Sequence, residues 1–588
     1  MKTNRLKTAF KKLIDTIKEA TSRFPYAIAL GVSTAVTMIV FIHLEEAITQ
    51  AQSEWFQRAA MTLIMGVPIA LSIKMIEELF EKQSRWIIHV LRILGLALLT
   101  IYFFFGLPHF EMVYIVRYIG FNIFLWGMFL TIPFFKRREL IEVFTFKVGW
   151  RLLITGFYCA IIFGGVSGIL FSLKELLDVP ITSEHYQDAI FIIAGIILPT
   201  FFFVGIPKKE DVLPSKLTKF FRILLIYVIM PILTAYTVVL YLYFVKMLFE
   251  QALPKNIISN LVLWYSIIGI VILYLARPET NKSRWAKLFD RWFLRLLYIP
   301  LAMMFISVFI RVNQYGITEP RYYVIIGGVW ILAMTTYIML KNPKKRKNVI
   351  IPLSAAVLAL LTVIGPWSAF GISKMSQNNR LEEILSRNDM IVEEKLAGNN
   401  EISEQDKNEA SSIISYFNSN HKLDDIRVVE KSSTLEEIEA ILGFEIYEYN
   451  YIDKDNQRAY YRISEVGELI DIKGYDYLYS ARDNKGTIST EIGKIEVENI
   501  YRNDDNNANK IVIKLNENVI LDNDLSYYGN QLMDKYAGRE ELTLEELSFV
   551  HDTNSLNIKI IFYNIEYSIN EYSIEDGWAD YVVLIGLK

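Results

Sequence analysis

Long apolar runs separated by short polar ones fill the first 372 residues, and shorter apolar stretches set among polar residues follow. A helix rising 1.5 Å per residue needs roughly 17–25 apolar residues to cross the hydrocarbon of a bilayer. Runs near that length fall at 26–42, 59–80, 86–105, 112–135, 148–173, 188–206, 220–246, 257–276, 293–310, 321–340 and 349–369, which predicts eleven transmembrane helices. The apolar share of 53% in a chain of 588 residues agrees with a polytopic α-helical membrane protein.

Between the ninth and tenth runs lies a polar hinge, Arg311 to Tyr323, reading R-V-N-Q-Y-G-I-T-E-P-R-Y-Y. Arg311, Gln314, Tyr315, Thr318, Glu319, Arg321 and Tyr322 are its candidate binding residues, because paired guanidinium groups suit an anionic head group. Equally, Gly316 and Pro320 suit a plain turn, with the arginines and the glutamate pinning two helices together. Polar groups also interrupt other runs: Lys74, Glu77 and Glu78 near the end of the second, and Arg117 in the fourth. Lys74 and Glu78 stand one turn apart, a spacing that permits pairing, while snorkelling to the interface accounts for the same charges. Pro68, Pro199, Pro231 and Pro300 interrupt the helical hydrogen-bond ladder within or beside runs.

Charge adds orientation. With the N-terminus inside, the segments 1–25, 81–86, 136–147, 207–219, 277–291 and 341–348 together hold 27 Lys and Arg. The opposite loops hold only Arg58, Lys174 and Lys255. Short basic loops stay cytoplasmic, so this bias predicts a cytoplasmic N-terminus and, after eleven spans, an extracytoplasmic C-terminal part. Residues 1–25 carry seven Lys and Arg, with Leu6, Phe10, Leu13, Ile14 and Ile17 at helical spacing. That pattern fits an amphipathic helix on an anionic leaflet or a solvated basic tail. The first apolar run lacks a small-residue cleavage site and reads as an uncleaved span.

Beyond residue 372 the balance inverts, with 22 Lys and Arg against 43 Asp and Glu where the part before it has 39 against 21. The organisation expected is a basic N-terminus (1–25), a transmembrane domain (26–372), a juxtamembrane helix (373–400) and an α+β extracytoplasmic domain (401–588). Helices are expected at 403–418, 434–442, 524–536 and 543–550. Strands are expected at 444–452, 460–463, 469–472, 492–501, 511–515, 556–563 and 581–587.

Motifs for chemistry are sparse. The six histidines show no zinc-ligand spacing, and Asp505-Asn506-Asn507-Ala508-Asn509 starts like a calcium loop, but Lys510 stands at the glycine position. No phosphate-binding loop, hydrolase elbow or kinase signature is present, so no catalytic residue, cofactor or metal is assigned. A single cysteine, Cys159, excludes an intramolecular disulfide. The acidic C-terminal part argues against nucleic acid as a partner.

Several blocks carry a family resemblance: Arg23-Phe24-Pro25; Met230-Pro231-Ile232-Leu233 with Tyr236, Leu240-Tyr241 and Tyr243; the hinge from Tyr315 to Tyr323; and Gly365-Pro366-Trp367-Ser368 followed by Ser376-Gln377 and Arg380-Leu381. Together they resemble the bacterial multi-spanning membrane proteins grouped as domain-of-unknown-function family 4153, over most of residues 20–400. The resemblance implies a bacterial inner or cell membrane and names no activity. Three functions fit the pattern. One is transport or handling of an anionic lipid or envelope precursor, with an outer capture or gating domain. Another is a lipid-sugar-dependent envelope glycosyltransferase using His43, Glu45, Glu46 and Glu54 of the first outer loop. The third is a sensor or scaffold whose outer domain binds a protein partner.

Overall fold

The computed structural model describes residues 11–588 except 12, 13, 16, 80–84, 109, 136–140, 209–218, 251–255, 281–282, 342–345, 393–394, 400–401, 445, 447–456, 464–469, 481–484, 501–509, 537–540 and 571–572. The described chain forms two compact units, Met1–Ser376 and Gln377–Lys588. Most of the N-terminal amphipathic pattern and the calcium-like stretch at 505–509 lie outside the described residues.

Helix dominates the first unit because hydrocarbon offers no partner to a backbone N–H or C=O, so each must be satisfied within its own segment. In chain order the helices are α1 (Pro25–Leu44), α2 (Gln50–Leu79), α3 (Arg85–Phe105), α4 (Met112–Thr131), α5 (Ile141–Leu177) and α6 (Ser183–Val204). They continue as α7 (Phe221–Phe249), α8 (Asn256–Thr280), α9 (Arg284–Leu296), α10 (Tyr298–Tyr315), α11 (Glu319–Leu340), α12 (Ile350–Leu361) and α13 (Ala369–Arg387). Among the described residues ten helices, with α9 and α10 counted as one, are long and apolar enough to cross a membrane.

Two expectations change here. The eleventh run, 349–369, holds a helix of only 12 residues, because the chain turns after Leu361 and Gly365 takes φ 79 ahead of Pro366. The stretch 277–291, read as a loop, is largely helical, with Ser283 Oγ accepting from Ala286 N at 3.3 Å to start α9.

Small residues set the closest approaches. A Cβ on Gly31 of α1 would lie 2.6 Å from the Gly195 carbonyl oxygen of α6, and one on Gly195 would lie 2.7 Å from the Ala35 Cβ. Glycine on both sides lets the two backbones meet. Gly127 of α4 faces Ala356 of α12 in the same way. Around Gly195, α6 widens into a π segment at Ile193–Ile197 just before Pro199; elsewhere α7 does so at Leu224–Ile229 before Pro231. Proline removes a donor and clashes one turn back, and the wider turn accommodates both. A core of Leu71, Phe129, Phe202, Phe203, Ile226 and Ile270 joins the helices.

The second unit is α+β. Its first part packs the end of α13 with α14 (Glu404–Asn420) and α15 (Leu435–Leu442) around Leu385, Ile414, Phe417 and Leu442. Ser403 caps α14 and a Thr434–Glu437 capping box starts α15, so both helices fall where 403–418 and 434–442 are expected, and Gly443 ends α15 at φ 79. The expected juxtamembrane helix over 373–400 instead begins at Ala369 and stops at Arg387. Asp389 there adopts φ 56, and Ile391–Val392 (β1) and Lys395–Leu396 (β2) pair.

The strands are β3 (Gln457–Ile463), β4 (Tyr477–Ser480), β5 (Lys485–Thr490), β6 (Gly493–Ile500), β7 (Lys510–Leu515), β8 (Asn518–Asp524), β9 (Glu541–Leu542), β10 (Ser548–Asp552), β11 (Leu556–Asn570) and β12 (Ser573–Leu587), with α16 (Leu525–Tyr536) between β8 and β9. One sheet runs β4-β12-β11-β3-β9 with β10 on β11; the other is the antiparallel order β5-β6-β7-β8. β11 and β12 are apolar on both faces, since Ile558, Ile560 and Phe562 enter one core and Ile561, Val582 and Leu584 another.

The helix expected at 543–550 is corrected to one turn and a strand. Thr543 and Glu546 do exchange the capping-box hydrogen bonds, but Ser548–Asp552 then pairs with β11. A partner strand outweighs a local cap. Residues 470–472 of the strand expected at 469–472 join no strand, and Ile472 accepts from Tyr475 across a turn that contains Gly474 at φ 88. Most of the strand expected at 444–452 lies outside the described residues.

Candidate functional site

The intramembrane charges of α2 gather at a cleft between α1, α2 and α3. Arg23, just before α1, clamps Glu78 with both arms of its guanidinium, Nε to Oε1 and Nη2 to Oε2, each at 2.9 Å. Its third arm, Nη1, donates to the Ile206 carbonyl at 2.6 Å. Such a planar fork matches a carboxylate better than an ammonium does. The pairing of Lys74 with Glu78 that their spacing permits is therefore not formed. Lys74 Nζ lies 3.3 Å from Glu77 instead, and Arg92 Nη2 of α3 reaches the same Glu77 Oε2 at 3.3 Å. The Arg92 guanidinium also sits 4.8 Å from the Tyr26 ring centroid.

Beside these groups opens a cavity of about 710 Å³. Arg23, Tyr26, Lys74, Glu77, His89 and Arg92 line one end, Leu30, Gly66 and Leu99 line the other, and Ile69 and Ile73 lie between them. From Lys74 back to Gly66 is eight residues along α2, or roughly 12 Å of helix. With Arg23 and Glu78 neutralising each other, Lys74 and Arg92 outnumber Glu77, so the polar end carries an excess positive charge. A polar, cationic end on an apolar trench is the shape of a site for an anionic amphiphile.

The hinge is held by its own chain. Gly316 at φ 72 ends α10, and Arg321 Nη1 donates to the carbonyls of Gly316 at 3.0 Å and Tyr315 at 3.4 Å, capping that helix. Tyr322 Oη donates to the Trp367 carbonyl at 2.7 Å, and Ile317 N donates to Ser376 Oγ at 2.9 Å. Thr318 is buried, Arg311, Tyr315 and Glu319 are half-buried, and Gln314 is exposed. Arg117 stands apart from both places, 5.6 Å from the Tyr114 ring.

A third polar cluster escapes sequence reading. Glu142, buried at the start of α5, receives Arg277 Nη1 at 3.2 Å and Asn348 Nδ2. Asn348 Oδ1 in turn accepts from Arg346 Nε at 3.0 Å, and the Arg346 carbonyl accepts from Arg277 Nη2 at 3.1 Å. Burial works to lower the Arg346 pKa, and Asp290 of α9 opposes that effect. Charges from α5, α8, α9 and the segment before α12 thus satisfy one another. Positions 142 and 348 are far apart in sequence, and no local pattern pairs them.

On the opposite part of α1, His43 Nε2 lies 2.9 Å from Asp188 and Nδ1 3.4 Å from Glu184, both on α6. Glu45 is exposed, Glu54 is half-buried, and the Glu46 side chain lies outside the described residues. Among the described residues no group of three His, Cys, Asp or Glu side chains is arranged to hold a metal.

The family model described as Domain of unknown function (DUF4153) matches residues 27–393. The chain belongs to this family. An uncharacterised protein of Pasteurella multocida (strain Pm70) is 24% identical over 276 residues, 46% of each of the two chains. The chain thus spans about half the length of that curated relative. No solved structure matches. The DUF4153 region contains Lys74, Glu77, Glu78 and Arg92 of the cleft, the hinge and the Glu142 cluster, whereas Arg23 and all of β3–β12 lie outside it. The protein is an integral membrane protein of this family, with a lipid bilayer as its environment.

Proposed function

We propose that this DUF4153 protein binds an anionic amphiphile, a lipid or lipid-linked envelope precursor, in the cleft between α1, α2 and α3, and takes part in its transport or handling. The observation that carries this reading is the cavity itself, with Lys74 and Arg92 at one end and Leu30, Gly66 and Leu99 at the other. Lys74 and Arg92 share a single Glu77 oxygen at 3.3 Å each, so an incoming phosphate can take up donors that one carboxylate leaves underused. In keeping with the loop charges, the N-terminus is cytoplasmic, and with the short apolar α12 completing an eleventh crossing the second unit is extracytoplasmic, in a bacterial inner or cell membrane. The hinge reads as a structural turn, because Arg321 at the start of α11 caps the end of α10.

The test is a thermal-shift titration of the full-length protein in detergent with polyprenyl phosphate, phosphatidylglycerol and phosphatidylcholine. An anionic ligand at a hundred times its dissociation constant stabilises by about 2.7 kcal/mol. The stabilisation is expected to vanish in Lys74→Ala/Arg92→Ala and to persist in Arg321→Ala. Stabilisation that survives the double substitution and disappears in Arg321→Ala would move the site to the hinge and overturn the reading.

A further inference from the structure

We infer that the exposed face of α9 docks onto the headgroups of anionic phospholipids at the membrane surface. Helix α10 has 18 residues, about 27 Å at 1.5 Å per residue, and by itself nearly matches the roughly 30 Å of hydrocarbon. The 13 residues of α9 that precede it therefore leave the hydrocarbon and enter the headgroup layer. Ala286, Phe289, Phe293 and Leu294 turn inward and are buried, which fixes the opposite face outward.

That outward face presents Arg284, Lys287, Arg291 and Arg295 among Leu288, Trp292 and Leu296. Leu288 and Trp292 are 47% and 50% exposed, too apolar a surface for bulk water, while four cations exclude the hydrocarbon interior. Cations interleaved with apolar side chains fit the boundary between the two, where an aromatic ring and long basic side chains find both phases. The sole acid in the helix, Asp290, lies near Arg346 and Arg277 and does not neutralise this face. The charge complement is a layer of lipid phosphates bearing net negative charge. Each basic side chain near such a surface strengthens attraction about five-fold, so three of them contribute roughly a hundredfold.

The experiment reconstitutes the full-length protein into phosphatidylcholine vesicles containing increasing brominated phosphatidylglycerol. It reads the tryptophan quenching that is present in the natural protein and absent in Trp292→Phe. Half-maximal quenching is expected at a low mole fraction of the anionic lipid and at least ten-fold higher in Lys287→Gln/Arg291→Gln/Arg295→Gln. The charge-keeping variant Lys287→Arg/Arg291→Lys/Arg295→Lys retains the natural midpoint. Equal quenching by brominated phosphatidylcholine, an unmoved midpoint in the glutamine variant, or equal loss in both triple variants overturns the proposal. A midpoint that shifts when inorganic phosphate is added but not with sodium chloride of equal ionic strength also overturns it, by showing a site for free phosphate. The cleft residues are unchanged in every variant, so this result stands apart from the titration of Lys74 and Arg92.

Discussion

Replacing Gly31 by alanine inserts a methyl group where α1 and α6 come closest. The new Cβ would stand 2.6 Å from the Gly195 carbonyl oxygen, whereas ordinary contact begins at 3.4 Å, so the helices must part by about 0.8 Å. Overpacking of this kind costs about 1–3 kcal/mol, roughly a 5- to 150-fold fall in the folded-to-unfolded ratio. Gly165 of α5 supplies a control of opposite sign, since nothing lies within 4 Å of its added Cβ. There alanine only restricts the unfolded chain and gains about 0.4–1 kcal/mol. Equilibrium unfolding of the full-length protein in mixed micelles, titrated with dodecyl sulfate, measures both. Gly31→Ala is expected to unfold at lower dodecyl sulfate than the natural protein and Gly165→Ala at slightly higher. Two shifts of the same sign and size would refute the glycine-mediated approach of α1 and α6.

Three further outcomes follow from the same physical reasoning. Arg23→Lys loses the two-point clamp on Glu78 and is expected to destabilise by about 1–3 kcal/mol in the same assay, and Arg23→Leu/Glu78→Leu recovers part of the loss that Arg23→Leu alone causes. Thr434→Ala removes the N-cap of α15 and is expected to raise amide exchange across Leu435–Leu442 by an amount matching about 1 kcal/mol, with exchange in β11 unchanged. In the sheet β5-β6-β7-β8, Lys494 and Lys485 hold Glu496 down to about 2. Its folded value lies below the ordinary value of about 4.3, so its contribution is complete above that pH and is lost as pH falls toward 2. Exchange in β5 and β6, corrected for its intrinsic rate, is therefore expected to rise between pH 5 and 3 in the natural protein and to change less in Lys485→Met/Lys494→Met. Equal pH profiles for the two proteins would refute the ladder's role.

Much of the fold was legible because hydrocarbon leaves a chain few choices. Ten of the predicted runs appear as long helices, since twenty apolar residues in succession have one way to satisfy their backbone. The caps at Ser403, Thr434 and Gly443 were equally readable, being exchanges within four residues or a single left-handed position. Polar strands such as Lys485–Thr490 and Asn518–Asp524 were missed because their pairing partners, not their own pattern, make them strands.

The sites divide along the same line. Composition and spacing alone determined that Lys74, Glu77 and Glu78 stand near the end of a span and that a turn between two helices falls within Arg311 to Tyr323, although only Gly316 to Thr318 is outside the helices. Only the tertiary structure decided that Glu78 belongs to Arg23, that Glu77 is shared by Lys74 and Arg92 beside a cavity, and that Arg321 caps its own hinge. Glu142, Arg277 and Asn348 meet for the same reason. Hydrophobic burial is non-directional and leaves a periodic trace in sequence, whereas an ion pair forms wherever packing brings two groups within a few ångströms, and that distance is written in no single stretch of chain.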